Sequence, residues 1–201
     1  MGWTVIVPVK RLARAKSRLR AALAPSEREG LVLGMARSTV AAALACPSVA
    51  RVLVVTADPA VRRSISGVTF VDDPGGGLNA ALRHAAAHAP PAPGVAALTA
   101  DVPALHPGEL AAALARCAVR SFVPDLPGTG TVLLAAPAGV PLDPRFGPQS
   151  AAAHEASGAV RLPGDWPTLR RDVDTAADLA AVYALGWRPP AGRRDDTGPG
   201  V

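Results

Sequence analysis

Residues 4–18 read Thr4-Val-Ile-Val-Pro-Val-Lys10-Arg-Leu-Ala-Arg-Ala-Lys16-Ser-Arg18, an apolar, β-branched run passing straight into a cationic loop. The run predicts a strand over Thr4–Val9. Ligands of open α/β sheets bind at the carboxyl ends of strands, so a cationic loop there suits a polyphosphate. Lys10 and Lys16 are the only lysines; the other nineteen of the 21 basic residues are arginine. Two ammonium groups in such a chain point to a need for compact, rotatable charges. A solvated basic helix face or a nucleic-acid patch would carry similar residues, but the position after a first strand favours phosphate.

Strand and helix signals alternate beyond this point. Helical periodicity covers Ser26–Ala45, with Glu27 and Glu29 near its start, where negative charge suits the macrodipole. Arg51–Thr56 is a buried strand closed by Ala57-Asp58-Pro59, and Val68–Val71 is a short one. Asp72-Asp-Pro-Gly75-Gly-Gly77 precedes a helix from Leu78 to His88. Val95–Thr99 is a strand, and a helix follows near Pro107–Cys117, with Pro107 suited to its first turn. Further strands are expected at Ser121–Val123, Thr131–Ala135 and Leu169–Val173, and helices at Ser150–Ala156 and Ala176–Leu185. Such alternation argues for an α/β sheet with parallel strands. One domain over residues 1–187 is expected, with a Pro-, Gly- and charge-rich tail over 188–201 expected to be disordered.

Composition sets bounds on function. At 201 residues the chain is long enough to bury a core, which must be Ala, Val and Leu because only three Trp, three Phe and one Tyr occur. The net charge of +5 is concentrated in the first loop and at Arg188, Arg193 and Arg194. Aromatics for base stacking are scarce, and no helix-turn-helix, zinc-finger or RNP pattern occurs, so nucleic acid is not an expected partner. Cys46 and Cys117 sit in apolar helical contexts without metal spacing and read as buried thiols of a reducing compartment. No apolar run approaches bilayer length, and the first residues enter a strand without a leader-like stretch. A cytoplasmic protein without a membrane partner is expected.

Three groups of residues carry chemistry. Asp101 follows the Val95–Thr99 strand, and Asp172 and Asp174 stand two apart in Arg171-Asp-Val-Asp174-Thr175, a spacing that puts strand side chains on one face. Carboxylates at strand ends, opposite a Lys/Arg loop, suit a magnesium-bound nucleotide. Thr175-Ala-Ala-Asp178 matches a capping box, so the last helix does not need Asp174 as its cap. The glycines of Gly75-Gly-Gly77-Leu-Asn79 permit close backbone approach to a ligand, although a glycine turn with Asn79 as helix cap reads equally well. Neither GxGxxG nor GxxxxGK[ST] occurs. Gly128-Thr-Gly-Thr131 and Pro144-Arg-Phe-Gly147-Pro-Gln-Ser150 offer hydroxyls and glycine amides for a small anion, or are simply two ordered turns. The histidines, His84, His88, His106 and His154, are scattered and form no triad-like pair with serine.

In sequence order, PVKRLARAKSRL (8–19), GLNAAL (77–82), ALTADVPAL (97–105), RSFV (120–123), GTGT (128–131), PRFGPQSAAAH (144–154), SGA (157–159) and LRRDVDTAADL (169–179) resemble the guanylyltransferases of coenzyme F420 biosynthesis. The resemblance spans nearly the whole chain short of the tail. It implies a single-domain nucleotidyltransferase fold, GT-A-like and Rossmann-like, with a mostly parallel mixed sheet flanked by helices. It also implies GTP as cosubstrate, magnesium as metal, and a small phosphorylated three-carbon acid as acceptor. By position, Thr131, Gly147 and Ser150 would hold the acceptor and Asp101, Asp172 and Asp174 the magnesium. Lys10 and Lys16, with Arg18, would grip the triphosphate, and Asn79 would lie near the guanine; Lys10, Lys16 and Asp101 are the expected catalytic residues. Thr99 has no assignable role, and Val102 stands where the motif more often has leucine.

Phosphoenolpyruvate is the expected acceptor, with 2-phospho-L-lactate as competitor. A molybdenum-cofactor type of guanylyltransferase would prefer a glycine-rich first loop, whereas this one is rich in Lys and Arg. A non-catalytic GTP-binding module is the alternative from another class, and oligomeric state is left open, a homodimer included.

Overall fold

A computed structural model describes residues 2–14, 16, 23–89 and 94–190. Strand β1 (Trp3–Pro8) carries Val5, Ile6 and Val7, all fully buried although successive strand side chains point to opposite faces. A strand apolar on both sides belongs inside a sheet covered on both faces. β2 (Val49–Val55) and β4 (Gly94–Leu98) flank it in parallel, with Leu53 and Ala97 opposite Ile6. β3 (Thr69–Val71) extends the parallel half beside β2. β6 (Thr131–Pro137) runs antiparallel between β4 and β5 (Ser121–Pro124), and the two-residue β7 (Val160–Arg161) pairs parallel with β5. The order β3-β2-β1-β4-β6-β5-β7 is a mostly parallel mixed sheet, as expected. Its order reverses between β1 and β4, where ligand crevices form in such sheets.

Helices α1 (Pro25–Ala45), α2 (Pro59–Ser64), α3 (Leu78–Ala87), α4 (Pro107–Ala115), α5 (Ser150–Ala156) and α6 (Ala176–Ala184) cover both faces. Met35, Leu110 and Val182 pack with Val5 and Val7 on one side, while Leu82 and Ala151 pack with Ile6 and Phe122 on the other. The expected capping box is formed: Thr175 Oγ1 accepts from Asp178 N at 3.2 Å, and Asp178 Oδ2 accepts from Thr175 N at 2.8 Å. Pro107 opens α4, where the His106 side chain accepts from Gly108 N.

Two differences from the sequence reading have local causes. Ala57-Asp58-Pro59 begins a helix rather than merely ending a strand, because Asp58 Oδ1 accepts from Ala60 N at 2.9 Å and caps α2. That helix is six residues long, too short for periodicity to show. Residues 169–173 form a turn and extended chain, not a strand, for they pair with no sheet neighbour. Both cysteines are free and buried, and burial pushes the Cys117 thiol up to about 12. Of the segment 188–201, residues 188–190 are described, with Arg188 Nη1 donating to Tyr183 O at 2.8 Å; residues 191–201 lie outside the described residues. No described helix is long and apolar enough to cross a membrane.

Ile6→Ala removes a fully buried side chain from the central strand. It should cost about 2–5 kcal/mol. Urea unfolding should show a lower midpoint at unchanged slope.

Candidate active site

The end of β4 and the segment before α6 are joined by one backbone bond, from Val173 N to Asp101 O at 3.0 Å. Val173 is fully buried and locks the segment down, leaving Asp172 and Asp174 on either side of the junction. One carboxylate oxygen from each of Asp101, Asp172 and Asp174 then lies within 4.8 Å of the others. The three aspartates therefore converge as expected, but through this splice and not through a shared strand face.

Lys16 is the cation of this cluster. Its ammonium donates to Asp174 Oδ1 at 2.6 Å and to Asp101 Oδ2. Burial disfavours the charged ammonium, yet Asp101 and Asp174 outweigh it and hold the Lys16 pKa above its ordinary value. The backbone of Lys16 adopts φ +51°, uncommon for a residue with a Cβ, and the two ion pairs hold it there. Asp172 takes the opposite course: burial, then the Asp101 and Asp174 charges, push it up to about 7. Asp101 Oδ1 is buried and accepts no hydrogen bond among the described residues. A cluster with an orphaned oxygen and a carboxyl driven towards neutrality has the donors for a divalent cation.

The acidic cluster opens onto a cavity of about 650 Å³, lined also by Thr131, Gly147, Ser150 and Arg171. Thr131 starts β6 and Ser150 starts α5; both are buried. Between them the chain is tightly turned, with Gly147 at φ +147° and Gln149 at φ +56°. Asp125 holds the first turn by accepting from Thr129 N and Gly130 N, both at 2.9 Å. A Cβ on Gly130 would collide with that carboxylate. Asn79, expected near the guanine, grips the second turn: Oδ1 accepts from Phe146 N at 2.8 Å and Nδ2 donates to Phe146 O at 2.9 Å. It lines neither of the cavities described here. Arg145 is ion-paired with Asp143 at 3.1 Å.

Two residues passed over in the sequence reading stand here. Arg171 lines the cavity with no ion pair or hydrogen bond among the described residues, and its Nε is buried without a partner. Its place beside Asp172 was the available signal. His154, fully buried, contacts Thr131 and Arg145; no sequence spacing marked it.

A second cavity, of about 290 Å³, lies at the carboxyl ends of β1 and β2. Lys10, Arg11 and the Gly75–Gly77 turn line it, and Leu78 is a wall common to both cavities. All three glycines have φ between +77° and +90°, a conformation that side chains with a Cβ rarely adopt. The two lysines are thus divided, Lys10 to the smaller cavity and Lys16 to the acidic cluster. Arg18 lies outside the described residues.

Solved nucleotidyltransferases share this fold. A nucleotidyl transferase from Methanothermobacter matches with a TM-score of 0.65 at 20% identity, covering 90% of this chain and 95% of its own. A Mycobacterium tuberculosis protein crystallised in complex with manganese matches with a TM-score of 0.56 at 21% identity, covering 90% and 97%. Sequence narrows the class. Residues 3–139 match the family described as guanylyl transferase, CofC-like, and the chain belongs to that family of nucleotidyltransferases. A phosphoenolpyruvate guanylyltransferase of Salinispora arenicola is 61% identical over 194 residues, covering 93% of this chain and 90% of the relative.

The pKa of Asp172 predicts a pH dependence of stability. A carboxyl raised from 3.8 to about 7 contributes stability that is complete below 3.8 and lost as pH rises through about 7. In EDTA, the melting temperature should fall by several degrees across that window, at about 2–4 °C per kcal/mol. Asp172→Asn should remove that part of the fall; an unchanged slope in the variant would assign it to another group.

Proposed function

We propose that this chain transfers a guanylyl group from GTP to the phosphate of phosphoenolpyruvate, forming enolpyruvyl-diphospho-guanosine and releasing pyrophosphate. The observation that carries the reading is one cavity in which Thr131, Gly147 and Ser150 face the same space as Arg171, Asp172 and Asp174. The Salinispora relative, named for this reaction, supports the choice of phosphoenolpyruvate. The motif resemblance set out in the sequence analysis implies that the product would belong to coenzyme F420 biosynthesis.

The smaller cavity takes the nucleoside end of GTP, its glycine turn allowing close backbone approach. The larger cavity takes the acceptor. The hydroxyls of Thr131 and Ser150 bind the acid, and Arg171 supplies positive charge to its carboxylate. Lys10 and Lys16 flank the triphosphate from its two ends. A phosphate monoester is already anionic at neutral pH, so attack needs no side-chain base. A new bond forms from the acceptor phosphate oxygen to the α-phosphorus, and the bond to the pyrophosphate oxygen breaks in line. Positioning and charge neutralisation supply the rate enhancement. Asp101, Asp172 and Asp174 would hold magnesium, which when bound neutralises charge on the triphosphate and on the departing pyrophosphate.

The test is pyrophosphate release from GTP with magnesium, phosphoenolpyruvate and 2-phospho-L-lactate being supplied separately and the products weighed by mass spectrometry. Release with phosphoenolpyruvate is expected; release only with 2-phospho-L-lactate would replace the acceptor, and GTP binding without release from either would leave a non-catalytic module.

Asp174→Asn should cut kcat by about a hundredfold or more while leaving the fold intact. Normal turnover in that variant would remove the metal assignment. Ser150→Ala should raise the acceptor KM about tenfold with little change in the KM for GTP.

A further inference from the structure

His154 stands behind Thr131, which lines the acceptor cavity, and one of its two ring nitrogens faces a partner of fixed character. Nε2 is 2.9 Å from the backbone nitrogen of Arg145. A peptide N–H can only donate, so Nε2 must be the unprotonated, accepting nitrogen. A neutral imidazole then carries its proton on Nδ1, which lies 2.9 Å from Thr131 Oγ1. A protonated Nδ1 cannot accept from Thr131 Oγ1, so the hydroxyl's own proton has to point elsewhere. No other described side chain or carbonyl accepts from Thr131, and Thr131 lines the cavity.

We infer that His154 is a positioning residue: through its Nδ1–H tautomer it turns the Thr131 hydroxyl proton into the cavity, making Thr131 an obligate donor to an anionic acceptor group. The tautomer is set by an immobile backbone donor, so the polarity of the hydroxyl is built in before any ligand arrives.

The surroundings keep the imidazole in this state. Its ring is fully buried, 5.2 Å from the Phe146 ring edge-on and 5.7 Å from the Phe122 ring. Burial, with Arg120 and Arg145 beside it, outweighs Asp143 and a backbone hydrogen bond with Ser150 and pushes its pKa down to about 4. An imidazolium would bring a second N–H against the Arg145 amide, donor against donor. The same ring ties β6, the 144–150 turn and α5 together, so the bond that orients Thr131 also fixes the turn carrying Gly147 and Ser150.

The choice of Thr131 as the hydroxyl that meets the acceptor rests on the function proposed above; the tautomer does not. The first measurement is therefore a long-range proton–nitrogen correlation spectrum of the ¹⁵N-histidine-labelled, ligand-free protein. His154 should show a protonated Nδ1 and an unprotonated Nε2 from pH 5 to 8. An Nε2–H tautomer, or an imidazolium at pH 7, would overturn the inference while leaving the proposed reaction standing. A protonated Nδ1 in a protein that does not turn over phosphoenolpyruvate would do the reverse.

The second measurement is a double-mutant cycle. Thr131→Val should raise the phosphoenolpyruvate KM about tenfold or more in the wild-type background, with the KM for GTP nearly constant. In a His154→Phe background, which keeps a ring between the two phenylalanines, the same change should add less than about threefold. His154→Asn, whose amide N–H replaces Nδ1–H, should recover most of the loss. Independent, multiplying effects of the two substitutions would show that His154 serves packing alone.

Discussion

The hydrogen bond from Val173 N to Asp101 O is the constraint on which the acidic cluster depends. Asp101 stands in the turn that follows the central strand β4, while Asp172 and Asp174 stand on chain outside the sheet. The bond joins them, and the fully buried Val173 and Leu169 side chains make the junction part of the core. Three carboxylates are thus forced together against their mutual repulsion. The cost shows in Asp172, driven towards neutrality by burial and by its neighbours, and in the capture of the Lys16 ammonium. Core packing stabilises an arrangement that the charges by themselves would disperse.

The wall of the larger cavity around Thr131 and Ser150 is organised on a similar plan, with hydrogen bonds in place of ion pairs. Two turns present Thr131, Gly147 and Ser150, and each is held by a side chain with both polar ends engaged. Asp125 holds the backbone of Thr129 and Gly130, and Asn79 holds the backbone of Phe146. His154 then spans the two. These bonds also satisfy backbone groups that a ligand-sized cavity would otherwise leave without partners. Loops that bind small anions need such support, because their own backbone makes few regular bonds.

Placing Lys10 in the smaller cavity and Lys16 in the acidic cluster fits the proposed reaction, in which a triphosphate would run between them. Leu78, at the start of α3, separates and joins the two spaces, directly after the three glycines whose φ angles turn the chain between them. The two cavities thus share a wall while their polar groups come from different elements.

The order of apolar residues along the chain marked the central strands. Val5-Ile-Val7 and Leu53-Val-Val55 are apolar on both faces, so they had to be inner strands, and Pro and Gly placed the helix starts at Pro107 and the break before Leu78. The same was true of the residue types at the site, since carboxylates at a strand end and lysines after a first strand follow from short-range order. Tertiary structure decided what pairs with what. Asp172 and Asp174 converge on Asp101 through a long-range backbone bond that no spacing encodes, and Asn79 faces Phe146, 67 residues away. The surroundings of Arg171 and His154 were not legible for the same reason: an arginine unpaired among the described residues and a histidine held between Thr131 and Arg145 are defined by distant neighbours. Periodicity and capping act over a few residues, whereas the polarity of a buried hydroxyl depends on which donor the fold sets against it.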